Sequence, residues 1–177
     1  MTTRQRCQHS RRCVAVVLVL GLAGLLTACG PAATRSDDVG ALGSVSDHLD
    51  DASSAVATAE LAVRERAAGH LPAVTADVAI GDAVETATGA VHGIGTLVIA
   101  ADGAEQVRGD ALDAASGAVG PVAAARTWLG RPPSPADDVL RALDDASSAL
   151  DDASATVERA QAQIDAQTGP RAERTAP

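Results

Sequence analysis

A seven-residue repeat of apolar residues near the end of the chain limits its fold more than any other feature. Apolar residues alternate three and four positions apart at nine consecutive stripe positions: Ala136, Val139, Leu143, Ala146, Leu150, Ala153, Val157, Ala160 and Ile164. This spacing places all of them on one helix face, as in coiled coils. It predicts a long C-terminal helix of about 50 Å at 1.5 Å per residue.

Residues at both ends of the stripe indicate where this helix begins and stops. Ser134 is a candidate N-cap, and Pro135 suits the first helical position. Asp137 and Asp138 follow, where the positive end of the helix dipole favours acids. The Gly-Pro pair after the helix stops it, and 169–177 is predicted to be a disordered tail.

An earlier segment shows the same periodicity. Ser44 and Asp47 have the spacing of a capping box, and apolar residues follow at alternating intervals of four and three. The segment 69–72, Gly-His-Leu-Pro, breaks that helix. The heptapeptide LDDASSA occurs at 49–55 and again at 143–149, beginning at a stripe position each time. The repeated heptapeptide supports pairing of the two helices, although convergence under helical patterning explains it at least as well as duplication does.

The segment between these helices is less regular. Helical spacing continues through 72–92, and the apolar stretch 93–100 fits a short strand, a buried connector or a continuing helix. A further helix is expected from Asp102 to about Val119, with Gly120-Pro121 interrupting it before two more turns.

These segments together predict an all-α fold, an antiparallel bundle of three to four helices over residues 44–168. The stripes are rich in Ala and Val, and the chain contains no Phe or Tyr. Each helix contact therefore buries little apolar area. A partner helix or self-association would supply further burial.

The first 28 residues have the parts of a secretory signal peptide in order. Four arginines, Arg4, Arg6, Arg11 and Arg12, precede an apolar run of 16 residues that ends at Ala28. That run is shorter than the roughly 18 residues typical of a membrane-spanning helix. Small residues at its end favour cleavage, and 29–43 reads as a flexible spacer rich in Gly, Ala and charges.

Leu26-Thr27-Ala28-Cys29 resembles the lipobox of bacterial lipoprotein precursors. The resemblance covers about 30 residues and implies that Cys29 receives a diacylglyceryl thioether and becomes the new N-terminus. It also implies a location on the extracytoplasmic side of the cell membrane. An ordinary cleavage site that happens to precede a cysteine is the alternative. With Cys29 in the thioether and Cys7 and Cys13 removed with the leader, the mature lipoprotein would keep no free thiol for catalysis, redox chemistry or metal binding.

The mature part is strongly acidic. Four of the 14 basic residues lie in the leader, so 10 arginines face all 23 acidic residues, a net charge of −13. Nucleic acids repel such a body, and it lacks the stacking aromatics of a nucleic-acid binder.

Six aspartates form the candidate interaction face. They follow the stripe of the last helix at seven-residue intervals: Asp137, Asp138, Asp144, Asp145, Asp151 and Asp152. A solvated helix face explains this acidic ridge, and weak binding of a divalent cation or a basic partner is the alternative. The ridge lacks the glycine turn and terminal glutamate of an EF-hand loop.

Other short sequence patterns are weaker indications of a functional site. His48, His70 and His92 are spaced 22 residues apart but belong to different segments, so we expect no metal site and no other cofactor. Arg108-Gly109-Asp110 spells an adhesion tripeptide inside an expected helix. Trp128-Leu129-Gly130 is similar to the W-x-G hairpin of small type VII secretion substrates, which carry no lipobox.

The sequence contains no nucleophile-elbow, Walker A or dinucleotide-binding pattern. We therefore expect a lipid-anchored, non-enzymatic envelope protein that presents an acidic helical bundle to a protein partner or to itself. The alternative is an extracytoplasmic lipoprotein that binds a small ligand or a metal in a pocket near residues 93–101.

Overall fold

The computed structural model describes residues 38–99, 102–131 and 135–168, and over these residues it contains four α-helices and no strand. The helices are α1 (Asp38–Ala67), α2 (Ala73–Thr96), α3 (Asp102–Leu129) and α4 (Asp137–Thr168). The prediction of an all-α helical bundle is confirmed.

The four helices form a closed bundle. Each helix packs against the next in sequence, α4 packs against α1, and α1 also contacts α3 across the diagonal. The contacts give antiparallel directions. His48, near the start of α1, lies against Gly93, near the end of α2. Arg126, near the end of α3, contacts Asp77, near the start of α2. The end with the α1–α2 turn is called the Gly69 end below, and the other is the Ile99 end.

Helix α1 begins at Asp38, six residues before the expected start at Ser44. Ser44 lies inside the helix, and its hydroxyl donates to the carbonyl of Gly40 at 3.2 Å. The capping-box prediction is therefore wrong, and so is the flexible spacer for residues 38–43. Leu42 explains the difference, because it extends the stripe by one position and is fully buried. Its packing outweighs the poor helix propensity of the neighbouring glycines. The rest of 29–43 lies outside the described residues.

Helix α1 ends where the sequence predicts. Gly69 has a φ of +77°, in the left-handed region that glycine adopts without steric cost. The backbone N–H of His70 donates to the carbonyl of Glu65 at 2.9 Å, which satisfies a carbonyl of the last turn. Pro72 then precedes α2 with an extended backbone.

The apolar stretch after His92 begins as a continuation of α2. The helix runs to Thr96, and Leu97 leaves it with φ −69° and ψ 136°. Ile99 then packs against the core and is 9% exposed. Of the three alternatives, a continuing helix followed by a short connector describes residues 93–99.

Helix α3 is continuous through Pro121, so the predicted interruption there is wrong. Proline removes one backbone hydrogen bond and costs roughly 3 kcal/mol in a helix interior. The apolar stripe, however, continues across the proline. Ala118, Val122 and Ala125 are all fully buried, and their packing holds the helix together.

The core of the described residues consists of aliphatic side chains and buries no polar or charged residue. In α4, Leu143, Leu150 and Val157 are fully buried, whereas the stripe residues at both ends are only partly buried. This helix begins at Asp137, so Pro135 precedes it by two residues and is not its first position. Ser134 and the tail 169–177 lie outside the described residues.

Candidate functional site

The acidic ridge lies on the solvent side of α4. All six of its aspartates are exposed. The guanidinium of Arg141 donates to Asp138 at 2.8 Å, and this hydrogen bond, together with the charges of Asp137 and Asp145, raises the pKa of Arg141. The ridge is therefore partly neutralised near the start of α4. Its role in binding remains a prediction.

The three spaced histidines occupy different environments. The ring of His48 is half-buried against Gly93, and its Nδ1 lies 3.9 Å from Asp51, with no hydrogen-bond partner. His70 is exposed and contacts Glu65 at 3.1 Å, and His92 is exposed on α2. Among the residues that the structure describes, no three His, Cys, Asp or Glu side chains converge as metal ligands.

Arg108 of the adhesion-like tripeptide joins two helices. Its side chain is 16% exposed and makes two hydrogen bonds to the carboxylate of Glu105. A third bond runs to the carbonyl of Ile94 in the last turn of α2, at 3.3 Å. The hydrogen bond to Arg108 lowers the pKa of Glu105, and the same bond raises the pKa of Arg108. The tripeptide is thus helical, and its arginine links the last turn of α2 to the first turns of α3.

An open depression of about 430 Å³ lies between α2 and α3 at the Gly69 end. It is lined by Ala73, Val74, Asp77, Arg126, Leu129 and Gly130. Arg126 donates through Nε to Asp77 at 3.2 Å. The alternative hypothesis of a ligand-binding lipoprotein predicts a pocket near residues 93–101, at the Ile99 end, whereas this depression lies at the opposite end of the bundle.

No family model, curated protein or solved structure matches the chain. No helix within the described ranges is long and apolar enough to cross a membrane. The lipobox-like segment Leu26–Cys29 precedes the described residues, so lipidation of Cys29 remains a prediction.

The outer face at the start of α2 is not among the surfaces predicted from the sequence. Val74 is 77% exposed and Val78 is 58% exposed, although both are large apolar residues. The signal was present in the sequence, because these valines fall outside the α2 stripe that contains Ile80. The charged partners, Asp77 and Arg126, are 49 residues apart, and no local pattern links them.

Proposed function

We propose that this protein is a lipid-anchored, non-enzymatic component of a bacterial cell envelope that displays its helical bundle to a protein partner. The observation that carries the proposal is the lipobox-like sequence Leu26–Cys29, placed directly after a basic leader and a short apolar run. Cleavage before Cys29 leaves nine residues before α1 begins. Two or more acyl chains on that cysteine would anchor the bundle stably to the membrane.

The charged surface of the bundle supports a role in protein binding. The described helices bury aliphatic stripes against one another and carry their charged side chains outside. The proposed role is non-enzymatic because the sequence contains none of the catalytic patterns named above.

Substitution of the cysteine tests the anchor. The wild-type protein should partition into the detergent phase, incorporate a fatty-acid probe and begin at Cys29. Cys29→Ser removes the sulfur that accepts the lipid, so labelling should disappear and uncleaved precursor should accumulate. Cys13→Ser is the matched control, because it alters a leader cysteine and should leave labelling and cleavage unchanged.

Mass spectrometry of the mature N-terminal peptide decides between anchoring and simple secretion. An ordinary secreted protein would still be cleaved and released after Cys29→Ser. An unmodified Cys29 thiol on the mature chain would disprove the proposal.

A further inference from the structure

We propose that the outer face at the start of α2 binds a second copy of this chain. The surface consists of Val74, Asp77 and Val78 on α2 and Arg126 on α3, and it is called the valine patch. All of these residues except Val78 line the depression described above. The inference rests on the proposed lipid anchoring and assigns a surface and a partner to it.

The exposure of the two valines is the first observation. Val74 and Val78 lie one helical turn apart, so they share a face. Ala76 and Ile80 of the same turns are fully buried and face the core. Packing within the bundle therefore leaves both valines exposed to water, and burying them requires a second surface.

The charges of the patch are self-complementary. It holds one carboxylate and one guanidinium, about half exposed at 53% and 54%. In a two-fold contact the same patch meets itself, so Arg126 of one copy can approach Asp77 of the other while the valines meet. Residues 29–177, with a net charge of −13, repel a second copy through most of their surface, but not through a patch that carries both signs.

The small size of the patch makes anchoring necessary. Two valines and one ion pair cover far less than the roughly 800 Å² per partner of a standard interface. Asp82 and Glu85, which follow on the exposed side of α2, limit the contact to its first two turns. We therefore expect weak association in dilute solution. Attachment to one membrane raises the effective concentration of the copies, and a weak contact can then be populated.

Cysteine cross-linking of the lipidated, full-length mature protein in vesicles tests the contact. With Cys29 blocked by lipid, Val78→Cys carries the single free thiol. A short bismaleimide should give several-fold more dimer with this variant than with Val98→Cys. Val98 is a matched control because it is 83% exposed and lies at the Ile99 end. Dilution with lipid should reduce the dimer. Equal cross-linking of the two variants would overturn the proposal.

Charge reversal tests the pairing of Asp77 and Arg126. In the Val78→Cys background, Asp77→Arg or Arg126→Asp alone leaves two like charges facing each other, so cross-linking should fall. The double variant restores one charge of each sign and should recover it. Helical circular dichroism checks that each variant is folded. A folded double variant that stays as low as the single ones would contradict the two-fold contact.

The outcomes also separate the patch from the anchor. If Cys29 carries lipid and Val78→Cys gives no excess dimer over Val98→Cys, the patch fails while the anchor stands. If the Cys29 thiol is free, the anchor fails. The same comparison at high protein concentration, with Cys29→Ser added, then decides the patch separately.

Discussion

The contact between His48 and Gly93 depends on the absence of one side-chain carbon. A Cβ at position 93 would lie 2.3 Å from Nε2 of His48, much closer than real contacts allow. We expect Gly93→Ala to displace the ring and to lower the free energy of unfolding by about 1 kcal/mol, despite the better helix propensity of alanine. Urea denaturation monitored by circular dichroism measures the change.

Gly89→Ala is the matched control on the same helix. A Cβ at position 89 would meet nothing within 4 Å. Alanine there should raise the free energy of unfolding by up to about 1 kcal/mol. Combining His48→Ala with Gly93→Ala should recover most of the loss. A stabilising Gly93→Ala in the wild-type background would show that the ring moves away at no cost.

The Arg108–Glu105 pair predicts a pH dependence. The pKa of Glu105 is lowered in the folded chain. Its ionised form therefore contributes stability above the ordinary glutamate pKa of about 4.3, and the contribution is lost as the pH falls through the lower folded value. Glu105→Gln should destabilise the protein more at about pH 7 than at about pH 3, where more of the carboxylate is protonated. Denaturant titrations at the two pH values compare it with wild type.

Asp113→Asn is the control for this pH dependence, because Asp113 is an exposed carboxylate on the same helix. It should behave alike at both pH values. A loss from Glu105→Gln that persists undiminished at low pH would show that the carboxylate charge is not what Arg108 recognises.

At the scale of the helices, Pro121 is a local defect that packing overcomes. Its ring nitrogen cannot donate to the carbonyl of Gly117, four residues earlier in α3. Pro121→Ala restores this bond, so it should raise the free energy of unfolding by about 1–3 kcal/mol. The midpoint of thermal unfolding would rise accordingly. A lower midpoint would mean that the proline ring contributes packing that alanine cannot replace.

The stripe of α4 offers a larger effect. Leu150 is fully buried at its centre, so Leu150→Asp forces a charge into the aliphatic core and should cost several kcal/mol or abolish folding. Ala149→Asp adds the same charge at the adjacent exposed position and should change stability little. Helical circular dichroism and denaturant unfolding distinguish the two variants. Equal stability would show that this face is not buried.

The sequence predicted those parts of the helices that regular periodicity specifies. Unbroken heptads located the core of α4, and the Gly69 turn was clear because a glycine and a proline coincide there. The start of α1 and the continuity of α3 were missed, since Gly40, Gly43 and Pro121 oppose a helix locally. Their outcome depends on tertiary burial of Leu42 and Val122, which no local window contains.

Of the candidate surfaces, one is predictable from a local sequence pattern and the other is not. The ridge aspartates follow a local seven-residue period, so their exposure could be read from the sequence. The valine patch joins α2 to α3, and the depression depends on how these helices end beside each other. Such features require the tertiary structure.

The whole molecule carries a charge imbalance that should make its stability depend on salt. With a net charge of −13 on residues 29–177, like charges repel one another more in the compact state than in the unfolded one. Raising NaCl from about 0.01 M to about 1 M shortens the Debye length from about 30 Å to about 3 Å. The thermal midpoint should therefore rise with salt.

Neutralising the exposed ridge is the matching variant. Asp144→Asn, Asp145→Asn, Asp151→Asn and Asp152→Asn together should raise the midpoint at low salt and weaken its dependence on NaCl. A wild-type midpoint that falls with added salt would show that attractive ion pairs outweigh the repulsion.

The interface between α1 and α4, called the α1–α4 seam, indicates the order in which the helices of the bundle assemble. Neighbouring helices meet through short connections, so their contacts have low contact order and should form quickly. Only the α1–α4 seam brings together helices separated by most of the described chain. Its closure bears the largest loop entropy. Substitutions that shorten buried side chains in this seam should therefore increase the unfolding rate while leaving the refolding rate nearly unchanged.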